Sequence, residues 1–268
     1  MSPDAKPVAI VTGASSGIGK ATARVFAAAG YRTVLAARSQ DKLKELALEI
    51  EEAGGEALVV PTDVGVWDQV ENLVAQTIKK YGQIDVLVNN AGMGRLTWLD
   101  QLDPQKGIAA QINVNLLGLI WVTRAALPDM IERQSGQIIN MGSLASFVAT
   151  PSYSVYAATK FGLRGFSDAL RREISFYNIK VSVLYPGGVE SEFASHAGIQ
   201  RKTGFTTPQA LRLTPEDVAQ AVLGLTKRPR RNLVLPRVAY LSFWASYLFP
   251  GVVDWVMERF YTRPERLP

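Results

Sequence analysis

Tyr156 and Lys160 stand four residues apart, so on a helix their side chains share one face, a single turn from each other. A phenol with an ordinary pKa of about 10 is a poor base at neutral pH. A neighbouring ammonium group favours the phenolate and can recruit the phenol for acid/base work. The pair predicts proton transfer at Tyr156. A Tyr and a Lys also share a helix face by chance, so other residues must decide between the two interpretations.

Two further polar residues stand where such chemistry could use them. Asn115 lies in a long apolar helix pattern, and a polar amide there must find partners or cost stability. Ser143 follows a predicted strand directly, at its carboxyl end. A hydrogen bond inside the fold would explain Asn115 and is compatible with a functional role.

The elements that must position these residues alternate between short apolar runs and amphipathic helix patterns. Such alternation favours an α/β fold, a Rossmann-like doubly wound parallel sheet of about seven strands with helices on both faces. We expect a single domain over 1–268 with its core at about 7–235, and we expect Pro128 and the polar residues 132–134 to end the long helix. The predicted strands are 8–11, 33–37, 57–60, 84–88, 137–140, 181–184 and 232–235. The predicted helices cover 20–29, about 43–50, 70–78, 104–127, 154–176 and 217–225.

A glycine-rich turn joins the first strand to the first helix. It reads Thr12-Gly13-Ala14-Ser15-Ser16-Gly17-Ile18-Gly19. Strand, glycine turn and helix together suit a pyrophosphate, because glycines permit close approach of the backbone and the helix N-terminus offers free N–H groups. The spacing G-x-x-x-G-x-G differs from the G-x-G-x-x-G of the most familiar dinucleotide fingerprint.

Arg38 follows the second strand, about 20 residues beyond the glycine turn, where an acidic residue would hold the ribose 2′-hydroxyl of NAD. A guanidinium suits a 2′-phosphate instead. We therefore expect NADP(H) as the cofactor, with NAD(H) less favoured and a solvated loop arginine as the alternative. Gly13, Arg38, Asp63 and Asn89 all occupy carboxyl ends of predicted strands, where ligands of such sheets bind.

The composition limits the remaining classes of function. The 268 residues are 47% hydrophobic and 20% charged and include no Cys and one His, so no metal site is predicted. The first residues lack the apolar region of a secretory signal, and we expect a cytoplasmic protein. A formal net charge of +5 fits binding to phosphates or to an acidic membrane surface. Nucleic-acid binding is not predicted, because the sequence shows no clustered basic stripe.

Over roughly residues 7–190 the chain resembles the short-chain dehydrogenase/reductase family. The resemblance rests on the glycine turn, Asn89-Asn90-Ala91-Gly92, Asn115, Ser143, Tyr156-x3-Lys160 and Pro186-Gly187. It implies a catalytic tetrad of Asn115, Ser143, Tyr156 and Lys160. Tyr156 is then the acid/base, Lys160 lowers its pKa and binds the nicotinamide ribose, Ser143 holds the carbonyl oxygen, and Asn115 holds a relay water.

The resemblance also implies which residues contact the cofactor. Asp63 resembles the residue that meets the adenine amino group, and Asn89 the one near the adenosine ribose. Ser191 stands where the family usually has Thr, and Gly65 where Ser or Thr would cap the next helix. The implied contacts are Thr12, Gly13, Ser15, Ser16, Gly17, Ile18, Gly19, Arg38, Asp63, Val64, Asn89, Ala91, Gly92, Tyr156, Lys160, Pro186, Gly187, Val189 and Ser191.

Residues 188–215 are polar, show little periodicity and correspond to the family's substrate lid. His196 lies in this segment, as an exposed loop residue or as a substrate contact. The extension 236–268 contains an uncharged, aromatic run at 238–253 that is too short for a spanning helix. This run has three interpretations. It packs on the domain or in the interface of a homodimer or homotetramer, it lines a cavity for an apolar substrate, or it lies on an anionic membrane.

These residues predict an NADP(H)-dependent oxidoreductase that interconverts a carbonyl and a secondary alcohol, on an apolar or lipid-like substrate. A 3-oxoacyl-thioester reductase is the enzymatic alternative. A catalytically silent nucleotide sensor or scaffold on the same fold is the alternative of another class.

Overall fold

Seven strands form one parallel sheet in the order β3-β2-β1-β4-β5-β6-β7. The computed structural model describes residues 6–190, 193, 197 and 207–266. The order runs outward from β1 in both directions, so the topological switch point lies between β1 and β4, where such sheets bind ligands. The strands are β1 Val8–Thr12, β2 Arg32–Ala37, β3 Glu56–Pro61, β4 Val86–Asn89, β5 Gly136–Met141, β6 Ile179–Pro186 and β7 Asn232–Leu235.

Helices cover both faces of this sheet, which confirms the predicted doubly wound fold. Phe26, Leu43 and Val222 belong to the buried cluster on one face, and Leu73 and Met130 to the cluster on the other. The main helices are α1 Gly17–Ala28, α2 Gln40–Glu52, α3 Trp67–Tyr81, α4 Pro104–Glu132, α5 Ser154–Glu173, α6 Pro215–Lys227, α7 Tyr240–Leu248 and α8 Pro250–Met257.

Helix α4 is the one helix of the described chain that is long and apolar enough to cross a membrane. Here it is a core helix, since Leu119, Val122, Ala126 and Met130 are buried along one side. The stripe that they form packs on the sheet and its neighbouring helices. Its apolar composition therefore follows from its place in the core.

Helix α4 runs past its predicted end at about Leu127 and through Pro128, and it ends at Glu132, the first of the polar residues that were also predicted to end it. Proline removes one helical hydrogen bond, but long-range contacts hold the last turn. Met130 is fully buried, and the Asp129 carboxylate accepts a hydrogen bond from the Ile84 backbone N–H at 3.0 Å. Arg133 forms ion pairs with Asp129 and with a carboxylate preceding β4.

Gly118 allows α4 to lie against the loop after β3. A Cβ at this position would lie 2.7 Å from Val64 Cγ2 and 2.9 Å from Val64 O. We expect Gly118→Ala to lower the free energy of unfolding by about 1–3 kcal/mol, because the backbone oxygen cannot move aside cheaply. Gly165→Ala on α5 is the control, with no atom within 4 Å of the added methyl group. It should raise stability by about 0.5–1 kcal/mol. Urea unfolding of both variants measures the difference, and equal stabilities would contradict the assignment.

Candidate active site

The glycine turn after β1 leaves room for a ligand at the switch point. Gly13 and Gly17 adopt φ of +68° and +50°, which favour glycine. A Cβ at Gly19 would lie 2.1 Å from Gly13 O. Helix α1 begins at Gly17, three residues earlier than predicted, and the Ser16 side chain makes no capping hydrogen bond within the described chain. The first N–H groups of α1 therefore have no side-chain cap among the described residues and lie in a glycine cradle, which fits a pyrophosphate.

Thr12 fastens this turn to the loop after β4. Its Oγ1 accepts hydrogen bonds from the backbone N–H groups of Asn90 and Ala91, each at 3.0 Å. It donates to Val88 O at 3.3 Å, and Asn90 Nδ2 donates to Thr12 O at 3.0 Å. The side chain of Thr12 is thus committed to the protein, and any cofactor contact at this residue is left to its backbone. We assigned Asn90 no role from the sequence.

The Asn89 side chain points into the protein. It is 3% exposed, and its Nδ2 donates to Asn140 Oδ1 and Thr123 Oγ1 at 2.9 Å each. Its Oδ1 has no hydrogen-bond partner among the described residues. A contact between Asn89 and an adenosine ribose, as the family resemblance implies, would therefore have to use the backbone. These hydrogen bonds hold the end of β4 in place beneath the site.

Arg38 and Asp63 stand at the carboxyl ends of β2 and β3, as predicted. Arg38 is exposed and forms no ion pair within the described part of the chain. Asp63 Oδ1 accepts a hydrogen bond from Gly65 N at 2.9 Å, and Asp63 N donates to Gln69 Oε1 at 2.7 Å. These two bonds order the turn before α3, which has no side-chain cap in the described structure. Val64 is buried against Gly118.

Ser143, Tyr156 and Lys160 converge at the carboxyl end of β5. The Ser143 side chain lies near enough to the Tyr156 hydroxyl to lower its pKa, and it accepts a hydrogen bond from Ala145 N at 3.2 Å. Lys160 Nζ lies 5.6 Å from the centroid of the Tyr156 ring and donates to Met141 O at 2.8 Å. Tyr156 and Lys160 are both buried. The structure therefore brings together three of the four predicted catalytic side chains.

Burial sets the titration of this pair. Desolvation raises the pKa of Tyr156 to about 12, and the nearby Ser143 side chain opposes that shift. Desolvation likewise lowers the pKa of Lys160 to about 8. The expectation that Lys160 brings the phenol below its ordinary pKa is therefore not met by this geometry, in which burial dominates. The phenol is fully protonated at neutral pH, as a general acid must be.

Asn115, the fourth member, holds the backbone beside the pair. Its Oδ1 accepts from Met93 N at 2.7 Å, and its Nδ2 donates to Met93 O at 2.8 Å and to Thr159 Oγ1 at 3.3 Å. It lies in a π-helical turn, Asn113–Gly118, of the kind that recurs at functional sites. The structure gives Asn115 a positioning role, and the relay water stays a prediction.

The loop after β6 is joined to the segment before α6. Gly187 N donates to Leu235 O at 2.7 Å, and Leu213 N donates to Gly188 O at 2.9 Å. Val189 forms a parallel bridge with Leu213. Pro186, Gly187 and Val189 thus lie at the same edge of the sheet as the catalytic residues. Ser191 and His196 lie outside the described residues.

An apolar wall next to Tyr156 was not identified from the sequence. Leu96, Ala145, Tyr156 and Ala197 form a buried cluster against which Tyr153 and Phe193 pack. The rings of Tyr156 and Phe193 are 5.8 Å apart. Phe193 lies in the predicted lid. An aromatic residue in an otherwise polar loop was the sequence feature that could have indicated this wall.

A glycine cradle beside a buried tyrosine, a lysine and a nearby serine defines an oxidoreductase of the dinucleotide-dependent class. The short chain dehydrogenase family matches residues 7–202. The chain belongs to the short-chain dehydrogenase/reductase family.

Relatives span most of the chain. A dehydrogenase/reductase SDR family protein 7-like from Anopheles gambiae is 31% identical over 97% of this chain and 84% of its own length. An uncharacterized oxidoreductase from Bacillus subtilis (strain 168) is 33% identical over 94% and 71%.

Solved structures share the fold. An alcohol dehydrogenase from Thermococcus sibiricus, complexed with 5-hydroxy-NADP, matches with a TM-score of 0.77 and 32% identity, covering 86% of this chain and 96% of its own. A single-substitution variant of an actinorhodin polyketide ketoreductase with NADPH has a TM-score of 0.77 and 30% identity, covering 87% and 97%. A Burkholderia phymatum short-chain dehydrogenase/reductase in complex with NAD, at 23% identity and a TM-score of 0.84 over 94% and 97%, shares the fold. A dinucleotide cofactor is thus supported by the two neighbours at 30% identity or more, whose structures hold 5-hydroxy-NADP and NADPH.

We expect Thr12→Val to lower the free energy of unfolding by about 1–3 kcal/mol, because it leaves the N–H groups of Asn90 and Ala91 without their acceptor. Thr12→Ser keeps the hydroxyl and is the matched control, with a smaller loss. Thermal melts of the two variants measure the difference. Equal melting temperatures would show that the hydroxyl does not fasten the turn.

Proposed function

We propose that the protein is an NADP(H)-dependent oxidoreductase that interconverts a carbonyl and a secondary alcohol, with Tyr156 as general acid and base. The observation that carries the proposal is the buried Tyr156 side chain, which lies one helical turn from Lys160 and close enough to Ser143 for that residue to lower its pKa. The names of two neighbours agree with this chemistry, since one is an alcohol dehydrogenase and the other a ketoreductase.

The residues divide the reaction among them. The nicotinamide of a bound cofactor supplies the hydride for reduction and accepts it in oxidation. Tyr156 donates its phenolic proton to the alkoxide oxygen that develops on the substrate, and takes it back in the reverse direction. The Ser143 hydroxyl donates a hydrogen bond to the same oxygen as its charge grows. The Lys160 ammonium, held by Met141 O, stabilises the phenolate that remains.

The cofactor form is inferred from Arg38. Its guanidinium has no ion pair within the described part of the chain and stands at the end of β2, where it would meet the adenosine 2′-phosphate of NADP(H). The glycine cradle and the uncapped start of α1 would hold the pyrophosphate. The wall of Leu96, Tyr153 and Phe193 supports an apolar substrate.

Tyr156→Phe tests the reaction. We expect at least about a hundredfold loss of kcat with a panel of ketones and aldehydes, because the general acid is removed. NADPH absorbance measures turnover, and NADPH fluorescence titration should show binding retained. Tyr81→Phe, a phenol at the end of α3, is the control and should keep full activity. Wild-type protein that binds NADPH without any turnover would favour the silent nucleotide sensor instead.

The role of Lys160 is tested by comparing the pH dependence of the oxidation rate in the wild type and in Lys160→Met. Oxidation needs the phenolate, so its rate should rise with pH, whereas reduction uses the protonated phenol that burial already favours. Below a pH of about 8, Lys160→Met removes a nearby positive charge, which makes the phenolate harder to form there. The oxidation profile should therefore shift to higher pH in the variant. An unshifted profile would show that Lys160 does not tune Tyr156.

Arg38→Asp tests the cofactor preference. The loss of a charge-assisted contact and the gain of a ribose acceptor should change the ratio of kcat/KM for NADPH over NADH by about 10- to 100-fold, in favour of NADH. Arg172→Asp, at an exposed arginine of α5, is the matched control and should leave the ratio unchanged. A ratio that Arg38→Asp does not change would remove Arg38 from the cofactor site.

A further inference from the structure

Helices α7 and α8 carry a large apolar surface that the rest of the described chain leaves uncovered. In these two helices, which the structure describes in full, no side chain is buried. We call the large apolar residues of 240–257 that are more than half exposed the aromatic surface. They are Leu241, Trp244, Tyr247, Leu248, Phe249, Val252 and Trp255. Exposed apolar patches of this extent mark interaction sites rather than ordinary surface.

One side of α7 is attached to the domain. The ring of Phe243 packs on Phe147 at 5.1 Å between centroids, and the Arg164 guanidinium lies 5.7 Å from the Phe243 ring. Helix α7 carries no charge, and apart from the Tyr hydroxyls its polar side chains are Ser242 and Ser246, one turn apart. The attachment through Phe243 therefore leaves apolar side chains facing outward, which are expected to be covered by protein or lipid.

The charges around the aromatic surface favour anionic lipid as the occupant. Residues 238–253 carry no charge, and arginines stand near both ends of the aromatic surface, at Arg237 and Arg259. Both are exposed, and neither has an ion pair in the part of the chain that the structure describes. A second copy on this surface would offer them one nearby carboxylate without an ion pair among the described residues, Asp254, whereas phosphate headgroups offer many. Apolar rings with rim cations are the arrangement of interfacial helices.

The types of aromatic residue point the same way. Trp244, Tyr247 and Trp255 combine an apolar ring with one polar atom, which suits the boundary between acyl chains and headgroups. The run is shorter than a spanning helix and Pro250 begins a new helix within it, so it can lie on a bilayer without crossing it.

The chain then returns from the aromatic surface to the catalytic edge. Tyr261 is buried, and its hydroxyl lies 3.0 Å from Ser152 Oγ, in the loop that leads to Tyr156. Arg266 pairs with Asp100 at 2.8 Å, in the loop after β4. The aromatic surface is therefore tied to two loops that flank the active site.

We propose that the aromatic surface docks the protein on bilayers that contain anionic phospholipids, with the catalytic edge beside the membrane. The docking itself does not depend on the proposed reaction. That an apolar substrate enters from the bilayer rests on the proposed function. Each part fails by a different measurement, because docking is read without turnover.

Flotation with vesicles of equal parts phosphatidylcholine and phosphatidylglycerol tests the docking. We expect the wild-type protein to float with these vesicles, and to float less with phosphatidylcholine alone or at high salt. Leu248→Glu should weaken the partition at least about tenfold, because it replaces apolar contact with charge. Leu48→Glu on α2 is the matched control, since Leu48 is 58% exposed and Leu248 57%. It should float as the wild type does.

The charge contribution has its own pair of variants. Arg259→Gln should weaken binding to the mixed vesicles about fivefold and leave binding to phosphatidylcholine unchanged. Arg172→Gln is the control. Thermal melts show whether each variant folds, and Val252→Glu replaces Leu248→Glu if that variant does not.

Two results would overturn the proposal. The first is wild-type protein that stays at the bottom of the gradient with every vesicle. The second is a sizing experiment in which Leu248→Glu converts an oligomer to a monomer while flotation is unaltered, which would make the surface an interface between copies of the chain.

Discussion

The hydrogen bonds of Thr12 hold together the two halves of the sheet at the point where its strand order reverses. Strands β1 and β4 pair in parallel, and the Thr12 hydroxyl receives the first two N–H groups beyond β4. The glycine cradle and the Met93 loop are thereby fixed relative to each other. Asn115 fastens that loop to the helix that carries Tyr156. The glycine cradle and the helix of the proposed acid/base residue are thus connected by hydrogen bonds of 2.7 to 3.3 Å through one edge of the sheet.

Tyr156 and Lys160 are costly to bury, and their surroundings compensate for part of that cost. Lys160 has no carboxylate partner among its described contacts and donates to a strand-end carbonyl instead, which leaves its pKa low. A carboxylate there would neutralise the field that the phenolate needs. Because little water screens the Lys160 ammonium, its field would act strongly on a phenolate formed at Tyr156. The high phenol pKa and the low lysine pKa are therefore two consequences of one dry site.

Short sequence patterns predicted the features of the fold and site that depend on neighbouring residues in the chain. The seven strands, the glycine cradle and the position of Ser143, Tyr156 and Lys160 depend on periodicity and on strand ends, which a single sequence displays. Asn89 could not be placed, because its partners Thr123 and Asn140 lie 34 and 51 residues away. Pro128 misled for the same reason, since the turn beyond it is held by Met130 in the core and by a bond from Ile84. The oligomeric state, the lid and the location in the cell stay predictions.

The C-terminal extension connects the aromatic surface to the loop before Tyr156, two features that are far apart in the sequence. Tyr261 reaches Ser152 across 109 residues of chain and so ties the aromatic surface to the loop before the catalytic helix. An apolar surface held in water costs free energy unless something covers it. An apolar wall beside Tyr156 has the same preference for its ligand. One environment, the boundary of an anionic bilayer, would satisfy both, because it covers the aromatic surface and presents apolar carbonyl compounds at the catalytic edge.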